Sequence, residues 1–109
     1  MADEINLQYL IAGTPDSALA HWRANPPQWA QEHGYKLIDQ SFNSLVYERR
    51  RTSGLMRTVD IFGFGETVYR VSIVFTAEGS AKTRVTVSGQ ADRKARAAIE
   101  SEAATQALK

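Results

Sequence analysis

The sequence predicts an α+β domain with an antiparallel β-sheet of about five to six strands curved around a long C-terminal helix, and with two short helices after the first strand. Residues 69–77 and 82–89 alternate between apolar and polar side chains around a Glu-Gly-Ser turn, which predicts a β-hairpin with one apolar face. Residues 93–108 contain no glycine or proline and are rich in alanine, which predicts the long helix. Because a two-stranded hairpin is marginal until its apolar face is covered, the rest of the chain is expected to cover it.

The N-terminal part of the chain predicts a strand followed by a broken helix pair. Residues 5–11 alternate as a strand does. Thr14 can cap a helix that starts at Pro15, since a hydroxyl accepts from free helical amides and proline suits the first helical position. The Asn-Pro-Pro run at residues 25–27 must interrupt this helix, and a second short helix is expected to end at Gly34.

The remaining elements predict a meander followed by the helix. Residues 35–40, 45–51 and 55–61 read as strands, and the Phe-Gly-Phe-Gly run at residues 62–65 reads as a turn or bulge. We expect the final helix to open at residues 90–92. Its apolar stripe consists mostly of alanines: Ala91, Ala95, Ala98, Ile99, Ala103 and Leu108.

Length and composition predict one domain spanning residues 1–109. The 43% of hydrophobic residues suffices for one core, and the absence of cysteine excludes a disulfide framework and thiolate chemistry. The acidic N-terminus lacks the pattern of a signal peptide, and no apolar run reaches the ~18 residues of a transmembrane helix. We therefore expect a soluble, cytoplasmic protein.

Charge is distributed unevenly along the chain. Residues 1–48 carry two basic and six acidic side chains, whereas residues 49–96 carry ten basic and four acidic ones. Such polarity could steer an anionic partner, but the simpler interpretation, which we favour, is a solvated strand face. The candidate partner-binding residues are Arg49, Arg50, Arg51, Arg70 and Arg84, with Arg57 and Lys82 beside them.

The order of elements resembles the helix-grip or START-like (SRPBCC-type) superfamily, a group of lipid- and small-molecule-binding folds. The residues that carry the likeness are the first strand running into residues 13–16, the helix pair ending at Gly34, the hairpin and the helix after Gln90. The resemblance implies an apolar ligand held between sheet and helix. Residues 83–89 with the basic helix behind them also resemble small actinobacterial proteins, a likeness that implies no activity.

No motif for a particular reaction is present. His21 and His33 stand 12 residues apart without an acidic partner that completes a metal-binding pattern, so no metal is expected. There is no G-x-S-x-G elbow, and Gly63-Phe64-Gly65 lacks the lysine and third glycine of nucleotide-binding loops. Asp60 could be a carboxylate of raised pKa, or simply a satisfied edge residue. We expect no catalytic residue and no cofactor.

Aromatic side chains provide the candidate ligand site. A thin alanine helix could leave an apolar pocket against the sheet, and Phe62 and Phe64 could guard its mouth. The alternative is that a small domain needs these aromatics for its core. The candidate ligand-binding residues are Trp22, Trp29, Tyr47, Phe62, Phe64, Tyr69 and Ile99.

Three functions remain open from the sequence. The first is a protein that binds a small apolar molecule or lipid between the sheet and the C-terminal helix. The second is a non-enzymatic interaction module whose arginine-rich sheet face meets an acidic protein; nucleic acid is disfavoured because only Tyr47 and Tyr69 could stack on bases beside those arginines. The third, ranked last for lack of convergent polar groups, is an enzyme.

Overall fold

A computed structural model of the chain describes the backbone of residues 2–52 and 66–108 and the side chains of residues 3–50 and 68–108. Within these ranges the elements follow in this order: β1 (Ala2–Ala12), α1 (Pro15–Ala24), α2 (Gln28–His33), β2 (Lys36–Gln40), β3 (Ser44–Thr52), β4 (Glu66–Ala77), β5 (Lys82–Asp92) and α3 (Arg93–Gln106). The predicted strand at residues 55–61, Asp60, and the turn with Phe62 and Phe64 lie outside the described residues. Arg57 and the side chain of Arg51 also lie outside them.

The strands form one antiparallel sheet in the order β1-β5-β4-β3-β2. Strands β2 to β5 are neighbours in sequence and in space, as in a meander, and β1 pairs with β5 from Ala2 opposite Asp92 to Ala12 opposite Lys82. The predicted hairpin is confirmed, with Ile73 opposite Val87. The α+β prediction with an antiparallel sheet and a C-terminal helix is confirmed as well.

One face of this sheet, called the inner face, packs under the helices. Because side chains alternate along a strand, most apolar residues of β4 and β5 point to this face, with Val68 and Val74 as exceptions. The fully covered side chains there, each at most 2% exposed, are Leu45, Tyr47, Val71, Ile73, Phe75, Val85 and Val87. The opposite, outer face carries the intervening residues, including Arg70, Ser72 and Val74.

The helix pair begins and ends as the sequence predicts, and α2 takes a cap from elsewhere in the chain. The Thr14 hydroxyl accepts the N–H of Ser17 at 3.2 Å, and Gly34 ends α2 with a left-handed φ of 76°. No side chain of its own caps α2 at Pro27. Glu102 of α3 supplies the missing acceptor, taking the N–H of Trp29 at 2.8 Å, and so ties the two helices together.

Helix α3 starts later than the sequence prediction, which opened it at residues 90–92. Strand β5 continues to Asp92 because β1 pairs with it along its whole length, and Asp92 then caps the helix by accepting the N–H of Ala95. Of the predicted stripe, Ala95, Ile99 and Ala103 are buried on α3. Ala91 is buried on β5 instead, and Leu108 lies beyond the helix and is 44% exposed.

Gly89 allows β5 to approach β4 closely at the end of the hairpin. Its φ of 128° lies in a region that residues with a Cβ rarely adopt. A Cβ built there would also collide with the carbonyl oxygen of Arg70 on β4. The glycine therefore keeps Val71 and Ile5 in register on either side of it, just before β5 leads into α3.

Candidate functional site

The space between the inner face and the helices is almost filled. Among the described residues, the cavity at this place has a volume of about 10 Å³, which is room for roughly one water molecule. Its lining residues come from all layers of the fold: Tyr9, Trp22, Pro27, Trp29, Ile73, Val87, Ile99, Glu102 and Gln106. The alanines of α3 therefore allow a close approach to the sheet rather than leaving a large pocket.

The predicted ligand-binding aromatics are packed against one another. Trp22 meets Phe75 edge-to-face, with ring centroids 5.3 Å apart. Trp29 makes the same kind of contact with Tyr35 at 5.3 Å and with Tyr47 at 5.5 Å. Edge-to-face pairs of this geometry stabilise a core beyond the area they bury.

The structure brings together only part of the predicted ligand set. Trp22, Trp29 and Ile99 line the small cavity. Tyr47 and Tyr69 are buried on the inner face but do not line it.

The Tyr47 hydroxyl is a buried polar atom without a partner among the described residues. Tyr47 is 1% exposed, and burial raises its pKa to about 12. An unsatisfied buried hydroxyl is costly to a fold.

The polar groups beside the cavity are engaged with each other across the helices. The Tyr9 hydroxyl donates to Gln106 Oε1 at 3.2 Å, and Glu102 is held by the N–H of Trp29. Burial, reinforced by the charge of Glu102, raises the pKa of Tyr9. A ligand that entered here would first have to separate these contacts between β1, α2 and α3.

A second polar cluster gathers around Asp92 at the start of α3. Asp92 Oδ1 accepts the Tyr35 hydroxyl at 2.7 Å and Arg49 Nη1 at 3.3 Å, while Oδ2 caps the helix through Ala95. The N–H of Asp92 in turn donates to the Tyr35 hydroxyl oxygen at 3.2 Å. Burial alone would raise the pKa of Asp92, but these hydrogen bonds and the charge of Arg49 outweigh it and hold the pKa below its ordinary value. Each side-chain oxygen of Asp92 and Tyr35 has a hydrogen-bond partner, as in a cluster that stabilises the fold. We call this cluster the Asp92 joint.

The outer face carries a third cluster, called here the outer arginine cluster and made of Glu48, Arg50 and Arg70. Arg50 Nε donates to Glu48 Oε1 at 2.7 Å, and Arg70 Nε donates to Glu48 Oε2 at 2.8 Å. The Glu48 side chain is 7% exposed, whereas those of Arg50 and Arg70 are 57% and 61% exposed. The hydrogen bond from Arg70, with that from Arg50 and both positive charges, lowers the pKa of Glu48 against its burial.

The arginines that the sequence predicted on one sheet face lie on both the inner and the outer face. Arg49 lies opposite Tyr69 and pairs with Asp92 on the inner side, whereas Arg50 and Arg70 lie on the outer face. Arg84 pairs with Glu78 at 3.1 Å at the hairpin turn, and also donates to Gln8.

Glu48, which accepts hydrogen bonds from Arg50 and Arg70, was not among the residues predicted from the sequence. The available signal is strand alternation, which separates Arg49 from Arg50 and puts Glu48 on the same face as Arg50.

The exposed apolar side chains of β2 and its turn form a feature that the sequence analysis did not single out. Leu37 is 38% exposed, Ile38 is 48% exposed and Phe42, in the turn before β3, is 84% exposed. All five residues of β2 are exposed, because β2 is an edge strand that pairs only with β3 among the described elements.

Two further features concern the part of the chain that the structure describes. No group of three or more metal-ligating side chains occurs there. No helix within it combines the length and the apolar character needed to cross a membrane.

Comparisons of the chain with protein-family models, with curated proteins and with solved structures found no significant match.

We expect the joint at Asp92 to make stability depend on pH. Because the folded-state pKa of Asp92 is lowered, its contribution is fully present above the unfolded-state pKa of about 3.9 and is lost as the pH falls below that value towards the folded-state pKa. Asp92→Asn keeps a capping oxygen but loses the charge, so it should lower the free energy of unfolding by roughly 1–3 kcal/mol at pH 7. Urea unfolding at pH 7 and pH 3 measures both quantities.

The cost of Asp92→Asn should shrink at pH 3, because the Asp92 carboxylate of the unfolded wild-type chain takes up a proton below its pKa of about 3.9. Asp16→Asn, at an exposed residue in the first turn of α1, is the matched control. An equal cost of Asp92→Asn at both pH values would show that the charge of Asp92 does not stabilise the joint.

Proposed function

We propose that this domain is a non-enzymatic interaction module that binds an acidic segment of a partner protein through its outer sheet face. The observation that carries the proposal is the outer arginine cluster, in which one carboxylate holds two arginines that both stay more than half exposed. The single negative charge of Glu48 is shared between the two arginines. No described helix covers this face of the sheet.

The cluster is suited to carboxylates because Glu48 orients the guanidinium groups in advance. Each guanidinium has five N–H donors in a rigid plane, and Glu48 receives the Nε donor of each arginine. Arg70 makes no other hydrogen bond to the described residues, and its side chain is 61% exposed. A partner carboxylate can then be bound at a lower cost in side-chain entropy than by a free arginine.

An acidic protein segment fits this face better than nucleic acid does. Binding of single strands generally adds aromatic stacking to the positive charge. The two tyrosines that the sequence offered beside the arginines, Tyr47 and Tyr69, are 1% and 3% exposed on the inner face. The outer cluster thus offers charge and donors without a stacking platform.

Titration of the ¹⁵N-labelled chain with a peptide rich in aspartate and glutamate tests this function. We expect signals of residues 48, 50 and 70 to shift, and salt to weaken the binding because the contact is largely between exposed charges. Arg70→Gln should weaken binding by about fivefold, the upper range for one exposed charge pair. Arg84→Gln is the matched control, because Arg84 lies in another ion pair at the hairpin turn and should matter less than about twofold.

Two results would contradict the proposal. One is an unchanged spectrum at all peptide concentrations. The other is a single-stranded oligonucleotide that shifts the same signals at far lower concentration than the peptide, since nucleic acid would then be the better partner of this face.

A second candidate function is the binding of a small apolar molecule or lipid between the sheet and α3. The order of elements supports it through the helix-grip resemblance, and so does the unpartnered hydroxyl of Tyr47 beside Trp29. Because the existing space is about 10 Å³, binding would require α2 to move away from α3 and break the contact between Glu102 and Trp29. Such a ligand would occupy a minor open conformation made dominant by binding.

Titration with fatty acids, sterols and polyketide-like aromatics tests this second function. A ligand should raise the melting temperature and shift signals on both the inner face and α3. Ala98→Leu, on α3 beside the core, should weaken the binding by occupying the same space. A panel that moves no inner-face signal would exclude these compound classes and leave the outer face as the site.

A further inference from the structure

Strand β2 is an open sheet edge with an apolar centre. Its residues are all exposed, Leu37 and Ile38 occupy the middle, and Phe42 follows in the turn to β3. A shallow cleft of about 240 Å³ lies along residues 37–40. An edge strand presents unpaired backbone groups, so a strand from another chain can add to it.

The opposite edge of the sheet is partly engaged. On β1 the N–H of Leu108 donates to the Leu10 carbonyl at 2.8 Å, and Arg96 pairs with Asp3 at 3.8 Å. The chain that follows α3 thus returns to this edge. Among the described residues, no such hydrogen bond or ion pair joins β2 to an element other than β3. Tyr35, the residue before β2, bonds to Ala30 and Asp92. Strand β2 is therefore the edge on which an added strand meets less obstruction.

A bulge gives β2 an unusual distribution of charge. Lys36 lies opposite Glu48 and Asp39 lies opposite Val46, with the register shifting between Leu37 and Asp39. Residues three apart normally point to opposite faces of a strand, but the extra residue returns both charges to the outer face. Along residues 36–39 the strand therefore carries a positive side chain, two apolar ones and a negative one.

From this pattern we propose that β2 pairs antiparallel with β2 of a second copy of the chain, joining two sheets through a two-fold axis between Leu37 and Ile38. In this register Lys36 of each copy faces Asp39 of the other on the outer face, and Leu37 faces Ile38. The interface is self-complementary, as a two-fold interface must be. This proposal does not rest on acidic-peptide binding by the outer arginine cluster, although Lys36 lies opposite Glu48 of that cluster.

The same features explain why the occupant is a second copy. A bulge and an edge lysine discourage pairing with an arbitrary strand, because the incoming strand must tolerate a distorted ladder and supply an acid opposite Lys36. It must also supply a base opposite Asp39 and two apolar residues between. Strand β2 meets these requirements, with Phe42 of each copy close enough in sequence to extend the apolar contact.

The interface is small, so the dimer should be weak. Pairing over residues 36–39 falls among interfaces under about 1,200 Å², the size typical of transient complexes. We expect association in the micromolar to millimolar range. Sedimentation of the whole chain from about 5 μM to about 1 mM should show an average mass rising from 12.1 kDa towards twice that value.

Two sets of variants test the surface and its register. Ile38→Lys should abolish the rise in mass, whereas Leu108→Lys, at a side chain of similar exposure (44% against 48%), should not. Asp39→Lys places two lysines opposite each other and should weaken association at least fivefold, and the double variant Lys36→Asp/Asp39→Lys should restore it. Circular dichroism establishes that each variant remains folded.

Three outcomes overturn the proposal. The first is a mass of 12.1 kDa at every concentration. The second is a dimer that survives Ile38→Lys but not Leu108→Lys, which would move the interface to the other edge of the sheet. The third is a folded double variant that associates no better than Asp39→Lys alone.

Discussion

The helices cover the apolar face of the β4–β5 hairpin, and the rest of the fold depends on this cover. The hairpin presents a continuous row of large side chains, including Ile73 and Phe75, that cannot remain in water. Trp22 of α1 packs edge-to-face on Phe75 of β4. Helix α3 lies over β5 and β1, and its Ala95, Ile99 and Ala103 are buried there. The joint at Asp92 then fixes the angle at which the chain leaves β5 for the helix.

A filled inner space moves the functional argument to the outside of the molecule. The aromatics that could have surrounded a ligand are committed to edge-to-face packing. Among the described residues, two accessible surfaces differ in their chemistry. The outer face offers arginines held by Glu48, and the β2 edge offers apolar side chains between opposite charges.

The sequence predicted local structure well because its signals were local. Alternation in residues 69–77 identified the buried face, and the Thr14 cap and Gly34 stop matched the helix ends. It did not reveal contacts between distant residues, such as Tyr35 with Asp92, which lie 57 positions apart. It grouped Arg49 with Arg50 although alternation separates neighbours on a strand. The bulge in β2, which decides where Lys36 and Asp39 point, depends on pairing with β3 and leaves no local signal.

Helix α3 lies close against a filled inner face, and Ala95→Leu measures how closely. Ala95 is completely buried, so a leucine there should lower the free energy of unfolding by about 1–3 kcal/mol through overpacking. Ala97→Leu, on the exposed side of the same helix, should change it by no more than about 0.5 kcal/mol. Urea unfolding of both variants measures the difference. An Ala95→Leu protein as stable as the wild type, or more stable, would reveal unfilled space at this contact and contradict the account.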